Sequence, residues 1–320
     1  MPRPRRSFSL GWVILLALVD GVLIGFLTVG AALALFTDTF DNTGNAFTID
    51  TLDPPSGLTA SVVGTNIRLD WTPTTDTYAT GYNVLRSPTQ GSGYSPLDTV
   101  MPYTAVTYTD NTAAAGIRYY YVLQTYFQSW LSVYCNEANA AVPTNTGWRS
   151  PNAEAAVPNP NNGDGNGFEL NPTNAFADGG SYAEDVDSGT ASSQDCASTG
   201  RDRHRFYNYG FTIPDGQTIN GIEVRLDAWV YLITTGNPKM CVDLSWDGGT
   251  TWTATKTTAN LTTSQQTYTL GSVSDPWGHT WSSTQFSDAN FRLRITDIAS
   301  STTRNFRLDW VAVQVTYTPP

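Results

Sequence analysis

Lysine is almost missing from this 320-residue chain. Lys239 and Lys256 are its only two, and His204 and His279 are its only histidines. So few titratable bases leave general acid–base and Schiff-base catalysis short of their usual groups. The three cysteines, Cys135, Cys196 and Cys241, stand at no zinc-ligand spacing with one another or with a histidine, which excludes a zinc site. Charged residues make up only 14% of the chain, and the acidic ones lead by 28 to 17, for a formal net charge of −11. Such a surface repels phosphate backbones, so nucleic acid is excluded as a partner. There is no Arg-Gly-Asp tripeptide and no Leu-Pro-x-Thr-Gly sorting signal. The composition argues against an enzyme. What is abundant is aromatic area, with 10 Trp, 16 Tyr and 13 Phe, enough for more than one core.

One segment departs from this pattern. Arg3, Arg5 and Arg6 precede an apolar run from Leu10 to Leu35 that only Asp20 and a few glycines interrupt. Ala32-Leu33-Ala34 fits a small-x-small cleavage site, so residues 1–34 read as a secretory signal cut between Ala34 and Leu35. The run is also long enough to span a bilayer as a retained anchor, and both readings stay open. In either case the arginines remain cytoplasmic, the rest is exported, and the membrane is touched only through this segment. The following Leu35-Phe36-Thr37-Asp38-Thr39 and Asn42-Thr43-Gly44-Asn45-Ala46-Phe47 resemble the junction of camelysin/TasA-type exported proteins. That resemblance implies signal-peptidase processing, life at the cell surface, and a first mature segment able to pair with a neighbouring subunit. Residues 35–53 are therefore a donor-strand candidate as well as an extended linker.

From residue 54 to 143, short β-branched and aromatic runs alternate with Gly, Pro, Asn and Asp turns. Ile67, Leu69 and Trp71 share one strand face, and Gly116 leads into Tyr119 and Tyr121 at alternate positions. With the Pro-Pro-x-x-Leu opening and Tyr82-x-Val84-x-Arg86, this segment resembles a fibronectin type III domain. The resemblance implies an immunoglobulin-like sandwich with Trp71 and Tyr119 as core residues and Tyr119/Tyr121 as a tyrosine corner.

Residues 144–320 differ in texture. An Asn/Gly/Asp/Ser-rich stretch precedes strong alternation in Ile222, Val224, Leu226 and Ala228, in Phe291-Arg292-Leu293-Arg294-Ile295, and from Leu308 to Tyr317. One face is apolar and the other carries Arg, Asp and Glu, as in half-solvated antiparallel sheets stacked into a sandwich. Asn171–Gly179, Phe211–Pro214 and Leu308–Val311 resemble the jelly-roll repeats of bacterial surface and phage-tail-like proteins. The whole chain thus reads as all-β: a hydrophobic N-terminal helix, a fibronectin-like sandwich and a larger jelly-roll-like sandwich.

Candidate sites are few. Ser245-Trp246-Asp247-Gly248-Gly249-Thr250-Thr251-Trp252 fits a single Asp-box hairpin, with Asp247 capping turn amides and Gly248 and Gly249 at positive φ. A propeller would need it repeated. Trp277 and Trp281, close in sequence to Asp288 and Asn290, combine flat aromatic faces with carboxylate and amide groups, the ingredients of sugar binding; packing inside the sandwich is the competing reading. Asn162, Asp164 and Asn166 match the first half of a calcium loop, but Thr173 stands where such a loop needs its bidentate glutamate. No other cofactor is implied. Cys196 and Cys241 are the expected disulfide, being in one domain of an exported chain. The expected function is non-catalytic: adhesion to, or binding of, a carbohydrate or protein ligand at the cell surface on a fibronectin-like spacer. The alternative is self-assembly into an extracellular filament by strand donation. An acidic pair such as Asp227/Asp243 is the place to look for hydrolysis if that expectation fails.

Overall fold

The computed structural model describes residues 51–157, 166–188, 195–197, 201–232, 236–300 and 304–320. The leader, the Ala34/Leu35 junction and all but the end of segment 35–53 lie outside the described residues. No helix among the described residues is long and apolar enough to cross a membrane.

Side-chain alternation builds two separate cores. The first body holds β1 (Ser56–Val63), β2 (Asn66–Thr72), β3 (Gly81–Ser87), β4 (Ser95–Val100), β5 (Thr107–Asp110), β6 (Arg118–Phe127), β7 (Trp130–Leu131) and β8 (Ala138–Ala141). One sheet runs β1-β2-β5 and the other β4-β3-β6-β7, with β8 also on β6, all antiparallel. This is a fibronectin type III-like, immunoglobulin-like sandwich. Ile67, Leu69 and Trp71 point inward to meet Tyr82, Val84, Tyr121 and Leu123. Trp71 packs edge-on against Tyr82 with ring centroids 5.5 Å apart. Tyr119 is half-buried beneath the Arg86 guanidinium, 4.3 Å from its ring centroid.

A buried charge also staples this sandwich. The Asp110 carboxylate is fully buried and accepts from the Tyr121 hydroxyl at 2.7 Å, the Arg86 guanidinium at 2.7 Å, and the backbone and hydroxyl of Thr112. Burial alone would raise its pKa, but these donors overcome that and hold it below the usual carboxylate value.

The second body begins with β9 (Thr144–Asn145) and β10 (Ala153–Ala156). It continues through β11 (Ala183–Asp185), β12 (Arg203–Tyr207), β13 (Thr218–Val230), β14 (Lys239–Ser245), β15 (Lys256–Thr257), β16 (Gln266–Gly271), β17 (Arg292–Ile298) and β18 (Phe306–Thr318). One sheet has the order β11-β18-β13-β16, with β9 also on β18, and the other β10-β12-β17-β14-β15. From β11 to β18 the chain passes back and forth between the sheets and stays in one sheet only from β14 to β15. That winding makes a second two-sheet β-sandwich. Val224, Leu226, Phe306 and Val313 of one sheet face Phe206, Val242, Leu293 and Ile295 of the other, all at most 1% exposed. Each such side chain contributes about 1.5–3 kcal/mol of burial, so this cluster dominates the stability of the body.

The alternation expected from Leu308 to Tyr317 slips once. Phe306 and Leu308 face inward, and then Val311, Val313 and Val315 do, because a bulge opposite Asp227 and Ala228 inserts a residue. The displaced Asp309 is buried and accepts from Gly180 N and the Gln265 amide. Cys196 and Cys241 are joined in a disulfide with Cα atoms 5.9 Å apart, and Cys135 is a free thiol. On the chain-entropy account, closing that 45-residue separation stabilises by about 4 kcal/mol.

Tyr121→Phe tests the staple. It removes one donor from a buried carboxylate and should cost about 1–3 kcal/mol, read as a lower urea midpoint. An unchanged midpoint would show that Asp110 does not depend on it.

Candidate functional site

Of the two readings of Trp277 and Trp281, packing inside the sandwich is the one the structure takes, so they offer no sugar platform. Trp277 is 2% exposed and Trp281 6%. The Trp277 indole donates to the Ile222 carbonyl at 2.9 Å and fills the space left by Gly271, whose φ is +82° and where a Cβ would lie 2.7 Å from the indole nitrogen. Trp281 donates to the Pro276 carbonyl and packs against Phe286 and Phe291. Asp288 and Asn290 staple loops: Asp288 accepts from Gly210 N, and Asn290 donates to the Thr284 carbonyl. The four residues form no common surface site. Of the calcium-loop residues, Asn166 is exposed, while Asn162 and Asp164 lie outside the described residues.

A different surface gathers chemistry. In β12, His204 and Phe206 point into the core, so Arg203, Arg205 and Tyr207 point out. In β17, Leu293 and Ile295 point in, so Arg292 and Arg294 point out. The register sets Arg205 opposite Arg294 and Tyr207 opposite Arg292, while Arg294 in turn faces Asp243 of β14. Four arginines thus share the outer face of one sheet in a molecule of net charge −11.

Most of them are held. Arg294 makes a two-pronged contact with Asp243, at 2.9 and 2.7 Å, and lies 4.1 Å from the Trp252 ring centroid. Arg292 donates to the carbonyls of Asp288, Ala289 and Phe291 and stacks on Tyr207 at 4.6 Å. Arg203 reaches the Cys196 carbonyl at 3.3 Å. Arg205 is the exception. It lies 5.5 Å from the Trp252 ring centroid, and among the described residues no hydrogen-bond acceptor meets its guanidinium; its Nε is buried. Burial, then repulsion from Arg294 and Arg292, pushes its pKa down; burial and Arg294 do the same to Arg203, against the pull of Asp243.

Two covalent or hydrogen-bonded frames border this row. The Asp-box hairpin forms as its motif suggests. Asp247 Oδ1 accepts from the amides of Thr250 and Thr251 at 3.0 and 2.8 Å, which hold its pKa down near about 2, and the Trp252 indole donates to the Gly249 carbonyl. Gly249 has φ +96°, and a Cβ there would stand 3.4 Å from the Arg205 guanidinium carbon, so the glycine lets the hairpin close over that side chain. On the other side, the disulfide fixes residues 195–197 beside Arg203. The Arg-x-Arg alternation was visible in the sequence; that two such strands would be neighbours was not.

Other polar groups form no such surface. Asp227 and Asp243 stand in different sheets, each on its own arginine (Arg225 and Arg294), so they make no catalytic pair. His204 is buried. Its Nδ1 accepts from Phe168 N and its Nε2 donates to Glu154 at 2.7 Å, while burial outweighs Glu154 and lowers its pKa. Asp185, Asp202 and Asp297 are also buried, with Glu169 near them. No three His, Cys, Asp or Glu groups among the described residues are arranged to hold a metal ion. On the first sandwich, a groove of about 430 Å³ is lined by Leu85, Pro96, Leu97, Asp98, Gln124 and Leu131 and lies along the edge strand β4.

No protein-family model matches the chain, and no curated protein does. Among solved structures, it is similar to a Fn3-like protein from Clostridium thermocellum, with 30% identity, 30% of this chain and 97% of that one covered, and a TM-score of 0.26. It is also similar to the FN3 domain of human collagen XX, with 21% identity, 30% and 97% coverage, and a TM-score of 0.24.

The buried carboxylates give a pH test. Burial, then the charges of Asp202 and Glu169, raises Asp297 to about 8, and burial with the charge of Asp297 raises Asp185 as well. The folded protein therefore binds more protons than the unfolded chain between the ordinary value of 3.8 and about 8, so stability falls as pH rises through that window. The melting temperature should drop by several degrees between about pH 5 and pH 8, and Asp297→Asn should flatten the drop. A curve that rises over this range would contradict the assignment.

Proposed function

We propose that the chain is an exported, non-catalytic ligand-binding protein of the cell surface, in which the fibronectin-like sandwich is a spacer and the larger sandwich carries the binding face. The single observation that carries this reading is the outward row Arg203, Arg205, Arg294 and Arg292, set beside Trp252 and Tyr207 and framed by a disulfide and a capped hairpin. Half-buried guanidinium groups on a rigid sheet suit recognition of a ligand, because their orientation is fixed before the ligand arrives. The proposed reading asks for no cofactor. The basic, apolar leader and its likeness to camelysin/TasA-type junctions support export, and the likeness to jelly-roll repeats suits a surface-protein head.

A second reading, filament assembly by strand donation, has its own support. β4 ends its sheet, is exposed along most of its length, and borders the groove that holds Leu97 and Leu131. Its outer edge, unpaired among the described residues, offers backbone groups to a strand such as residues 35–53 of another copy.

One experiment separates the readings. The exported chain is applied to an array of glycans and surface proteins, and the same chain lacking residues 35–53 is imaged for fibres alongside. The leading reading expects ligand retention that survives the deletion and no hydrolysis. Fibres that vanish with the deletion, without any retained ligand, would favour the filament.

A further inference from the structure

The geometry points to an anionic polysaccharide, a glycan carrying carboxylate groups along its chain, as the ligand of the arginine face. This inference rests on the ligand-binding reading and narrows it to one chemistry. It starts from Arg205. Arg294, Arg292 and Arg203 all spend donors on Asp243 or on backbone carbonyls, whereas Arg205 has no acceptor among the described residues although its Nε is buried. A guanidinium withdrawn from water without a partner is costly, and the cost grows when neighbouring charges have the same sign. An incoming carboxylate would supply the missing acceptor in the planar, two-pronged geometry that a guanidinium matches.

The row favours a polymer over a small anion. Arg203 and Arg205 are two residues apart on one strand, which separates them by about 6.5–7 Å, and Arg292 continues the row opposite Tyr207. A single anion reaches one step of such a row; a chain of acidic sugars reaches several. The choice of glycan over acidic peptide comes from the backbone. β12 is paired on both sides, with β10 and β17, and β17 with β12 and β14. An extended peptide laid across this face finds no free ladder groups and so loses the main-chain bonds that peptide recognition usually uses. A glycan needs none, and Trp252 and Tyr207 offer apolar ring surface beside the charges. Countercharges near the row, among the described residues, include Asp243 on β14, already engaged by Arg294, Asp247 held by the turn amides of the hairpin, Asp288 engaged by Gly210 N, and Asp195 on the disulfide segment.

The test uses the full exported chain and three soluble polymers: alginate as the polyuronate, dextran as the neutral glycan, and poly-glutamate as the acidic peptide. Alginate should bind, dextran should not, and the alginate affinity should fall at least tenfold between about 50 and about 300 mM salt as charges are screened. Arg205→Gln should weaken binding at least tenfold while the melting temperature stays close to that of the unsubstituted chain. Arg205→Lys, which keeps the charge and loses the planar fork, should restore only part of it. Equal binding of dextran, an affinity indifferent to salt, or tighter capture of poly-glutamate than of alginate overturns the inference. If the chain retains a neutral glycan or a protein from the array but not alginate, this inference fails while the ligand-binding reading stands. If it retains nothing at all, both fail.

Discussion

The pleat of a single sheet ties the core of the larger sandwich to its surface. In β12 and β17, every second residue must enter the apolar interior, and His204, Phe206, Leu293 and Ile295 do so. The intervening positions are then forced outward together. Because β12 and β17 are hydrogen-bonded neighbours in one register, Arg205 and Arg294 become direct opposites. Like charges at such positions destabilise a sheet, and a one-residue slip would remove the clash only by burying the arginines. The core therefore holds the arginines in place against their mutual repulsion.

Several neighbours offset that repulsion unevenly. Asp243 answers Arg294, three carbonyls at the start of β17 answer Arg292, and the rings of Trp252 and Tyr207 lie against the guanidinium groups. The hairpin that brings Trp252 there depends on Asp247 holding its turn amides and on Gly249 having no side chain. Among the described residues, Arg205 meets only the ring. The same economy is absent from the first sandwich, where the buried Asp110 is fully served by Tyr121, Thr112 and Arg86. The first body answers its buried Asp110 in full, and the second leaves Arg205 without an acceptor among the described residues, which is the physical basis for proposing them as spacer and binding head.

Much of the fold was legible in the residues because period-2 alternation is a local signal. Ile67, Leu69 and Trp71 announced their strand, as did Ile222, Val224, Leu226 and Ala228, and all are buried. The Asp-box hairpin was legible for the same reason, since its bonds span only a few residues. The bulge at Asp309 was not, although the break between Leu308 and Val311 was its trace. Trp277 and Trp281 left two readings open because a loop-like, Gly- and Pro-containing segment usually runs over the surface. Here Gly271 leaves a hole that an indole fills. The arginine face was half legible: each Arg-x-Arg pair shows in its own strand, but pairing of residues 205 and 294 across so long a separation is decided by the winding of the chain.

The most direct measurement is nuclear magnetic resonance of arginine side-chain and tryptophan indole N–H groups in the full chain during titration with alginate. The account predicts that the Arg205 Nε–H signal and the Trp252 indole signal move first and furthest, with the indoles of Trp71 and Trp277 unmoved. Shifts confined to the first sandwich, or none on Arg205, would contradict it.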